Sequence, residues 1–468
     1  MILLLITVVE LVIFLDTTVL NVTLPSIGDE LGLDEAGLGW VTNAYLLAFG
    51  GFLLLGGRAA DLLGPRRVFV GGIAVFTVAS ALAGLATTPA VLIAARALQG
   101  LGAAVVIPAQ LALLTRAFTE PAARHRAFGV WSAMGAAGAA IGTAVGGPLT
   151  DLFGWPSVFL INLPVGVLAC AFARLLPPDP TWSSRVLGRL DVPGAVTGTA
   201  GLLIVGYAIG ALGDQSSRVP AAILLGVGLA LLGGFVFLEA RSPHPLMPLR
   251  LFGIRQVSGS AVVNALVGAA HVPTFALLAL YLQNTQRYSP TASGLAVLPV
   301  AVVNIVVSRS LIPFALDRFG PWRVLAAGLG LQALAMAWFA RLPAHGDYPI
   351  DVLPGAVLLG IGLPAAFVGV TAPAVTSVDT ADAGIAAGIV NTAQRVGSGL
   401  GVTAVLLLAD LVTRHWTAAD AYRAGLNVAF AAAAALAALG AVLTVALLRT
   451  PPAPVAAHEL ADNAPTHR

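Results

Sequence analysis

Long apolar runs separated by short polar connections dominate the chain. Fourteen such runs can be read, centred on residues 2–24, 37–57, 68–85, 90–114, 127–152, 159–176, 192–212, 219–238, 257–282, 291–313, 324–342, 352–373, 384–408 and 424–448. Each is close to the about 20 residues that a helix needs to cross about 30 Å of hydrocarbon. Turn formers and charges gather in the connections. The first run holds Asp16 and ends at Leu24-Pro25. It lacks a basic leader and a small-residue cleavage site, so it is read as a span and not as a signal peptide. The tail from Arg449, rich in proline and alanine, is expected to be disordered.

Composition strengthens this reading. Hydrophobic residues make up 58% of the 468 and charged residues 10%, and the mean hydropathy is +0.92. A soluble domain carries about 25% charged residues, so most of this surface must face lipid. The 52 glycines suit close helix contacts in a bilayer. The single cysteine, Cys170, allows no disulfide framework and no paired-thiol metal site. The chain contains no lysine, which excludes the phosphate-binding loop of an ATP-driven pump. Its basic residues are therefore all arginine. With the N-terminus inside, 16 arginines fall in cytoplasmic segments, five in outer loops (Arg218, Arg287, Arg341, Arg414, Arg423) and three within spans (Arg96, Arg309, Arg395). That bias predicts cytoplasmic N- and C-termini and an even number of spans.

An internal repeat divides the chain. Asp61-Leu-Leu-Gly64-Pro65-Arg-Arg67-Val68 recurs as Asp317-Arg-Phe-Gly320-Pro321-Trp-Arg323-Val324, an offset of 256 residues. Both copies connect adjacent spans on the cytoplasmic side. Parallel repeats of this kind are a transporter plan. If each copy follows the second span of a six-helix half, the seventh and eighth spans are an inserted pair. The expected organisation is an all-α membrane protein with a six-helix bundle over 1–176, linkers and the inserted pair over 177–256, a second bundle over 257–448, and a cytoplasmic tail over 449–468.

Five motifs then point to one family. Gly57-x-x-x-Asp61-x-x-Gly64-x-Arg66-Arg67 follows the second span. Leu92-x-x-x-Arg96-x-x-Gln99-Gly100-x-Gly102-Ala103-Ala104 lies in the fourth. Gly129-x8-Gly138-x3-Gly142-Thr143-x-x-Gly146-Gly147 lies in the fifth. Leu15-Asp16-Thr17-Thr18-Val19-x-Asn21-Val22-x-Leu24-Pro25 and Phe159-Leu160-Ile161-Asn162-x-Pro164-x-Gly166 mark the first and sixth. Together they resemble the major facilitator superfamily, and within it the fourteen-span drug:proton antiporters of the EmrB/QacA group. The resemblance covers nearly the whole chain. It implies the major facilitator fold, multidrug or antibiotic efflux across a cell membrane, a proton as coupling ion, and no cofactor. The chain departs from the pattern at Thr143, where proline is usual after Gly142, at Leu62, where a basic residue is common, and at Pro156, where arginine follows the tryptophan.

The residues themselves suggest roles. A carboxylate at Asp16, inside a span, is costly and defaults to function; a group that gains and loses a proton there is what proton coupling requires. The resemblance makes Arg96 its coupling partner. At about 100° per residue, Glu10, Thr17 and Asn21 share one face of the first span, and Asp16 lies on another. Gln99, His271, Asn264 and Arg395 complete the candidate substrate cavity. Gly57, Asp61, Gly64, Arg66, Arg67, Asp317, Gly320 and Arg323 are candidates for a loop latch, with Asp61 and Arg67 reaching Arg116 or a helix terminus. The ridge of Gly138, Gly142 and Gly146, with Gly147, is expected to seal the interface between the halves. No metal or catalytic site is expected. The expected partners are protons, a small lipophilic substrate and the bilayer, without nucleic acid, for a chain working as a monomer. The acids of the first span favour neutral and monocationic compounds; in-span arginines would favour anions if they line the cavity. A proton symporter for a small nutrient and a non-transporting sensor or scaffold are the alternatives.

Overall fold

The structure is a computed structural model that describes residues 1–179, 191–212, 217–243, 245–379, 382–415 and 420–449. The linker arginines Arg185 and Arg189 and the tail from 450 onward lie outside the described residues. Among the described residues fifteen α-helices follow one another: α1 Ile2–Leu31, α2 Glu35–Leu63, α3 Pro65–Gly84, α4 Pro89–Ala117, α5 Pro121–Phe153, α6 Ser157–Leu160, α7 Asn162–Ala171, α8 Val192–Ala211, α9 Arg218–Arg241, α10 Arg255–Leu280, α11 Pro290–Phe319, α12 Pro321–Phe339, α13 Leu353–Thr376, α14 Ala383–His415 and α15 Asp420–Leu448. Helices α6 and α7 are parts of one crossing, Ser157–Leu175, so fourteen helical segments among the described residues are long and apolar enough to span a membrane. Both ends of the helical array then lie on one face, called here the terminal face; the opposite one is the far face.

Local chemistry sets the helix ends. Asp34 accepts the Gly37 N–H at 2.8 Å and caps α2. Glu120 accepts from Ala123 at 3.0 Å and Ser289 from Ala292 at 3.2 Å, each just before a proline in the first helical turn. The two copies of the repeat share one backbone device. Gly64 (φ 99°) and Gly320 (φ 77°) take up positive φ between two helices, and Pro65 and Pro321 start the next. The crossings that follow also match. Gly72 faces Gly102 where α3 meets α4, and Gly328, 256 residues after Gly72, faces Gly362 where α12 meets α13. At each crossing a Cβ would strike the partner's backbone.

Helices α1 to α7 form one six-span bundle and α10 to α15 another. Helix α8 packs on α2 through Thr199 against Gly51, and touches α14 where Gly210 faces Thr403. Helix α9 packs on α8 and exposes Val219, Ile223, Leu229 and Phe237. Exposed leucine, valine and phenylalanine side chains of this kind also cover α3, α5 and α15, as expected of surfaces solvated by hydrocarbon.

Hydrogen bonds between the two bundles gather at the far face. Asn43 donates to Thr403 Oγ1 at 2.6 Å, and Gln283 to the Val22 carbonyl at 2.7 Å. The Thr291 N–H donates to Asp151 at 3.0 Å, and the Thr291 hydroxyl bonds the same carboxylate. Here the glycine ridge differs from its expected role. Gly138, Gly142 and Gly146 face the α1 backbone at Leu11, Leu15 and Val19, inside the first bundle. Gly147 alone of the four meets the second bundle, at the backbone of Pro290 and Thr291. The reason is angular: positions four apart stay on one helix face, and that face belongs to α1, whereas Gly147 is turned about 100° away.

Gly147→Leu should therefore insert normally but prop the far face open. In a Cys170→Ser background, a cysteine at Asn21 should become reactive to an impermeant maleimide added on the far side. Unchanged protection of that cysteine would show that the Gly147 contact does not close the far face.

Candidate functional site

Asp16 and Arg96 meet in the interior of the first bundle. Arg96 Nη1 donates to Asp16 Oδ2 at 2.7 Å, and the two side chains are 1% and 0% exposed. Such a pair is tolerated in low dielectric only when its remaining lone pairs and protons are also bonded. Three further helices, with Gln99 of α4 itself, supply those bonds. Gln99 of α4 and Asn162 of α7 donate to Asp16 Oδ1 at 3.2 and 2.7 Å. Ser80 of α3 accepts from Gln99 at 2.7 Å and passes its own proton to the Phe76 carbonyl at 2.8 Å. Arg96 also donates to Gln99 Oε1 and, from Nε, to the Val41 carbonyl of α2, both at 3.0 Å. Its guanidinium lies 4.4 Å from the centroid of the Tyr45 ring, also on α2. The carboxylate thus accepts three N–H donors and is shut off from the space between the bundles. Gln99 belongs to this network and not to the substrate cavity, because its position three residues after Arg96 puts both on one helix face.

Two further charged groups, Glu10 and Arg395, lie outside this network. Glu10 is 1% exposed, its side chain lies against Gly135 of α5, and its Oε2 has no hydrogen-bond partner. Arg395 of α14 is partly exposed at mid-bundle and lies 4.3 Å from the centroid of the Phe49 ring. The two charges act on each other electrostatically without forming a direct ion pair. Thr17 and Asn21 are half-buried on the same helix as Glu10, and the Thr17 hydroxyl donates back to Ile13 at 3.0 Å. His271 contributes an aromatic wall with Phe275 and Phe367, at ring separations of 6.3 and 5.1 Å. Its Nδ1 donates to the Val267 carbonyl at 3.1 Å, which leaves Nε2 as its free nitrogen. Asn264 is elsewhere: its amide donates to the Val390 carbonyl at 2.9 Å and ties α10 to α14, buried from the cavity.

One pair of rings lies between Arg96 and Arg395. Tyr45 and Phe49, one turn apart on α2, meet edge to face at 5.8 Å. Arg96 stands on the first ring and Arg395 on the second. Neither ring was marked by a charge or a motif, so sequence reasoning passed over both. Ser80 carried no signal either. Asn162 stood in a quoted motif but had no assigned partner.

The loop after α2 has a centre that sequence reasoning also missed. Asp179, in the linker beyond the sixth crossing, accepts the N–H groups of Arg66 and Arg67 at 3.0 and 2.9 Å and so caps α3. The Arg67 and Arg116 side chains lie 3.9 and 3.8 Å from the same carboxylate. Of the expected reach of Asp61 and Arg67 to Arg116 or a helix terminus, Arg67 meets the end of α2 at the Leu63 carbonyl, 3.5 Å away, while Arg116 pairs with Asp179 and not with Asp61. Gly57 lies along α2, and Gly64 brings the backbone against Asp179. In the second copy, Arg323 lies 5.1 Å from the Trp322 ring. Among the described residues, Asp61 and Asp317 make no ion pair.

Comparison with known proteins agrees with this architecture. A family model described as Major Facilitator Superfamily matches residues 6–402. The chain is 39% identical over 398 residues to the cephamycin export protein CmcT of Amycolatopsis lactamdurans, covering 85% of this chain and 82% of that one. It is 38% identical over 452 residues to the puromycin resistance protein pur8 of Streptomyces alboniger, covering 94% and 89%. Among solved structures, the xylose transporter XylE from E. coli superposes with a TM-score of 0.65 at 13% identity, over 97% of each chain.

The ion pair makes a thermodynamic prediction. Arg96→Ala strands a buried carboxylate and should cost about 3–5 kcal/mol. Asp16→Asn combined with Arg96→Gln should cost less than the two single changes added together, with a coupling of about 1–3 kcal/mol. Thermal unfolding of the detergent-purified variants measures both, and strict additivity would mean that the two groups do not depend on each other.

Proposed function

The chain belongs to the major facilitator superfamily, and we propose that it is a proton-coupled antiporter that exports small lipophilic compounds. The observation that carries this reading is the Asp16 carboxylate, which lies inside a span, enclosed and bonded to Arg96, Gln99 and Asn162. Relatives of 38–39% identity named for cephamycin export and puromycin resistance support an outward direction and an antibiotic-like cargo. The arginine bias supports cytoplasmic termini in a cell membrane, and the helix contacts support bundle boundaries near 176 and 257.

In this reading the present conformation is closed at the far, outer face by Asn43–Thr403, Gln283–Val22 and Asp151–Thr291. Asp16 is ionised and holds Arg96. When the outer face opens, a proton reaches Asp16. Neutralising that carboxylate removes the attraction that fixes Arg96, and the guanidinium is left with Val41, Gln99 and the Tyr45 ring. The ring pair on α2 carries the change to the cavity side, where Arg395 rests on Phe49. Reorientation releases the proton to the cytoplasm and readmits substrate. Each elementary charge moved inward draws about 2.3 kcal/mol per 100 mV of membrane potential. Neutral and monocationic lipophilic compounds suit the Glu10 face.

Proteoliposomes test the coupling. Adding tetraphenylphosphonium to reconstituted wild-type protein should dissipate an imposed proton gradient. Asp16→Asn should abolish that response and Asp16→Glu should keep part of it. Arg96→Lys should be poor, because a point charge cannot make the bonds of a guanidinium fork. A normal response from Asp16→Asn would remove the proton from Asp16.

A further inference from the structure

We infer that Asp191 and Glu239 form a proton-binding site at the terminal face, in which one proton carried by Glu239 ties the inserted helices α8 and α9 to each other. The site belongs to the inserted pair and is independent of the coupling role given to Asp16.

The two acids lie at opposite ends of the pair in sequence and meet in space. Asp191 is the N-cap of α8, and its Oδ1 accepts the Gly194 N–H at 2.9 Å. Glu239 lies in the last turn of α9 and is 3% exposed. Gly194 has no side chain, and both acids crowd the place that its Cβ would take. The Asp191 carboxyl carbon stands 2.9 Å from that point and Glu239 Oε1 stands 3.0 Å from it. The helix packing beyond holds them there. Gly198 admits Phe235 of α9, Gly201 admits Leu232, and Gly228 of α9 receives Val205.

Each carboxyl has one oxygen served and one left over. Glu239 Oε2 accepts the Met247 N–H at 2.9 Å, and Asp191 Oδ1 accepts from Gly194. Glu239 Oε1 and Asp191 Oδ2 are buried and have no hydrogen-bond partner. Two ionised carboxylates so placed would repel each other and leave two desolvated acceptors without donors. One proton removes both costs. On Glu239 Oε1 it makes that oxygen a donor to the Asp191 carboxylate, while Oε2 remains the acceptor for Met247. Asp191 is the partner that stays ionised, because an anion is favoured at the N-terminus of α8.

Among the described residues no basic side chain takes the place of that proton, and neither acid forms an ion pair. The charged groups of the adjoining elements are engaged elsewhere. Arg241 lies 4.0 Å from the Phe237 ring, Arg250 donates to both oxygens of Asp382 at 2.8 Å, and Arg58 acts on Asp61. Among the described residues no third His, Cys, Asp or Glu joins the pair to hold a metal ion. The position of the pair gives the proton a mechanical effect. Helix α8 packs on α2 of the first bundle, and Met247 lies against the core of the second. With the proton in place, contacts run from the first bundle through α8, Asp191 and Glu239 to Met247. Without it the two carboxylates repel, and that chain of contacts parts between α8 and α9.

Infrared spectroscopy of the purified full-length protein tests this, because a neutral carboxylic acid and a carboxylate absorb at different frequencies. Glu239→Gln keeps the donor and the acceptor of the protonated side chain. Between about pH 6 and pH 9 it should lose about one neutral carboxyl fewer than the wild type does. Asp191→Asn keeps a cap for α8 and offers Glu239 an N–H donor, so Glu239 should be ionised throughout and the same carboxyl should be missing from the change. Thermal unfolding gives a second readout. The folded wild type holds a proton that the unfolded chain releases, so its midpoint should fall as the pH rises over this range, and that of Glu239→Gln should fall less. An equal spectral change in the wild type and both variants would overturn the inference. A wild-type spectrum without a neutral-acid band at about pH 6 would overturn it with no variant needed. A midpoint raised by millimolar magnesium chloride in the wild type but not in Glu239→Gln would also overturn it, since a metal ion would then hold the pair.

Discussion

A buried charge pair sets the terms for the first bundle. Asp16 and Arg96 sit where neither can be hydrated, and an isolated ion in that medium costs far more than any single contact returns. The cost is met by bringing donors and acceptors from five helices to one point. Asp16 comes from α1, Val41 from α2, Ser80 from α3, Arg96 and Gln99 from α4, and Asn162 from α7. Each bond constrains the height and rotation of its helix. Close approach is needed to make the bonds short, and the glycines where α3 meets α4 and α5 meets α1 permit it. Protonating one oxygen would loosen an arrangement that the whole bundle shares, which is how a local titration can have a global result.

The second consequence is a division of labour. In the proposed reading the enclosed Asp16 takes the proton and the substrate binds elsewhere, so the two do not compete for one carboxylate. Coupling must pass through structure. Tyr45 and Phe49 are placed for this, since each ring supports one arginine and they touch each other. The same helix α2 also carries Asn43, which closes the far face on Thr403 of α14. Three contacts therefore ride on one helix: Tyr45 against Arg96, Phe49 against Arg395 and Asn43 against Thr403 of the other bundle.

Much of this was legible in the sequence, for reasons that differ by residue. Spans are legible because hydrocarbon demands long apolar runs. The repeat is legible because positive φ next to a helix-starting proline restricts the residue at Gly64 and Gly320. Asp16 and Arg96 stand out because ionised groups are rare in spans. Their neutral partners do not, since serine, asparagine and tyrosine are ordinary in such helices, and only the crossing geometry selects Ser80, Asn162 and Tyr45. Gln99 and Asn264 were both read as cavity groups. The first turns to Asp16 and the second to a carbonyl of α14, and a helical wheel cannot say which neighbour a face meets. The same blindness sent the glycine ridge to the wrong interface. Asp179 lay in a linker with no motif around it, 113 residues from the backbone it caps.

The link through α2 is the central claim, and calorimetry in buffers of different ionisation enthalpy addresses it directly. The number of protons released per tetraphenylphosphonium bound should be clearly above zero for the wild type. Phe49→Leu keeps an apolar side chain but removes the ring face between Tyr45 and Arg395. The account predicts that this variant binds tetraphenylphosphonium within about threefold of wild type while releasing no proton on binding. Full proton release by Phe49→Leu would contradict it, and would mean that the proton and substrate sites communicate by a route that does not pass through these rings.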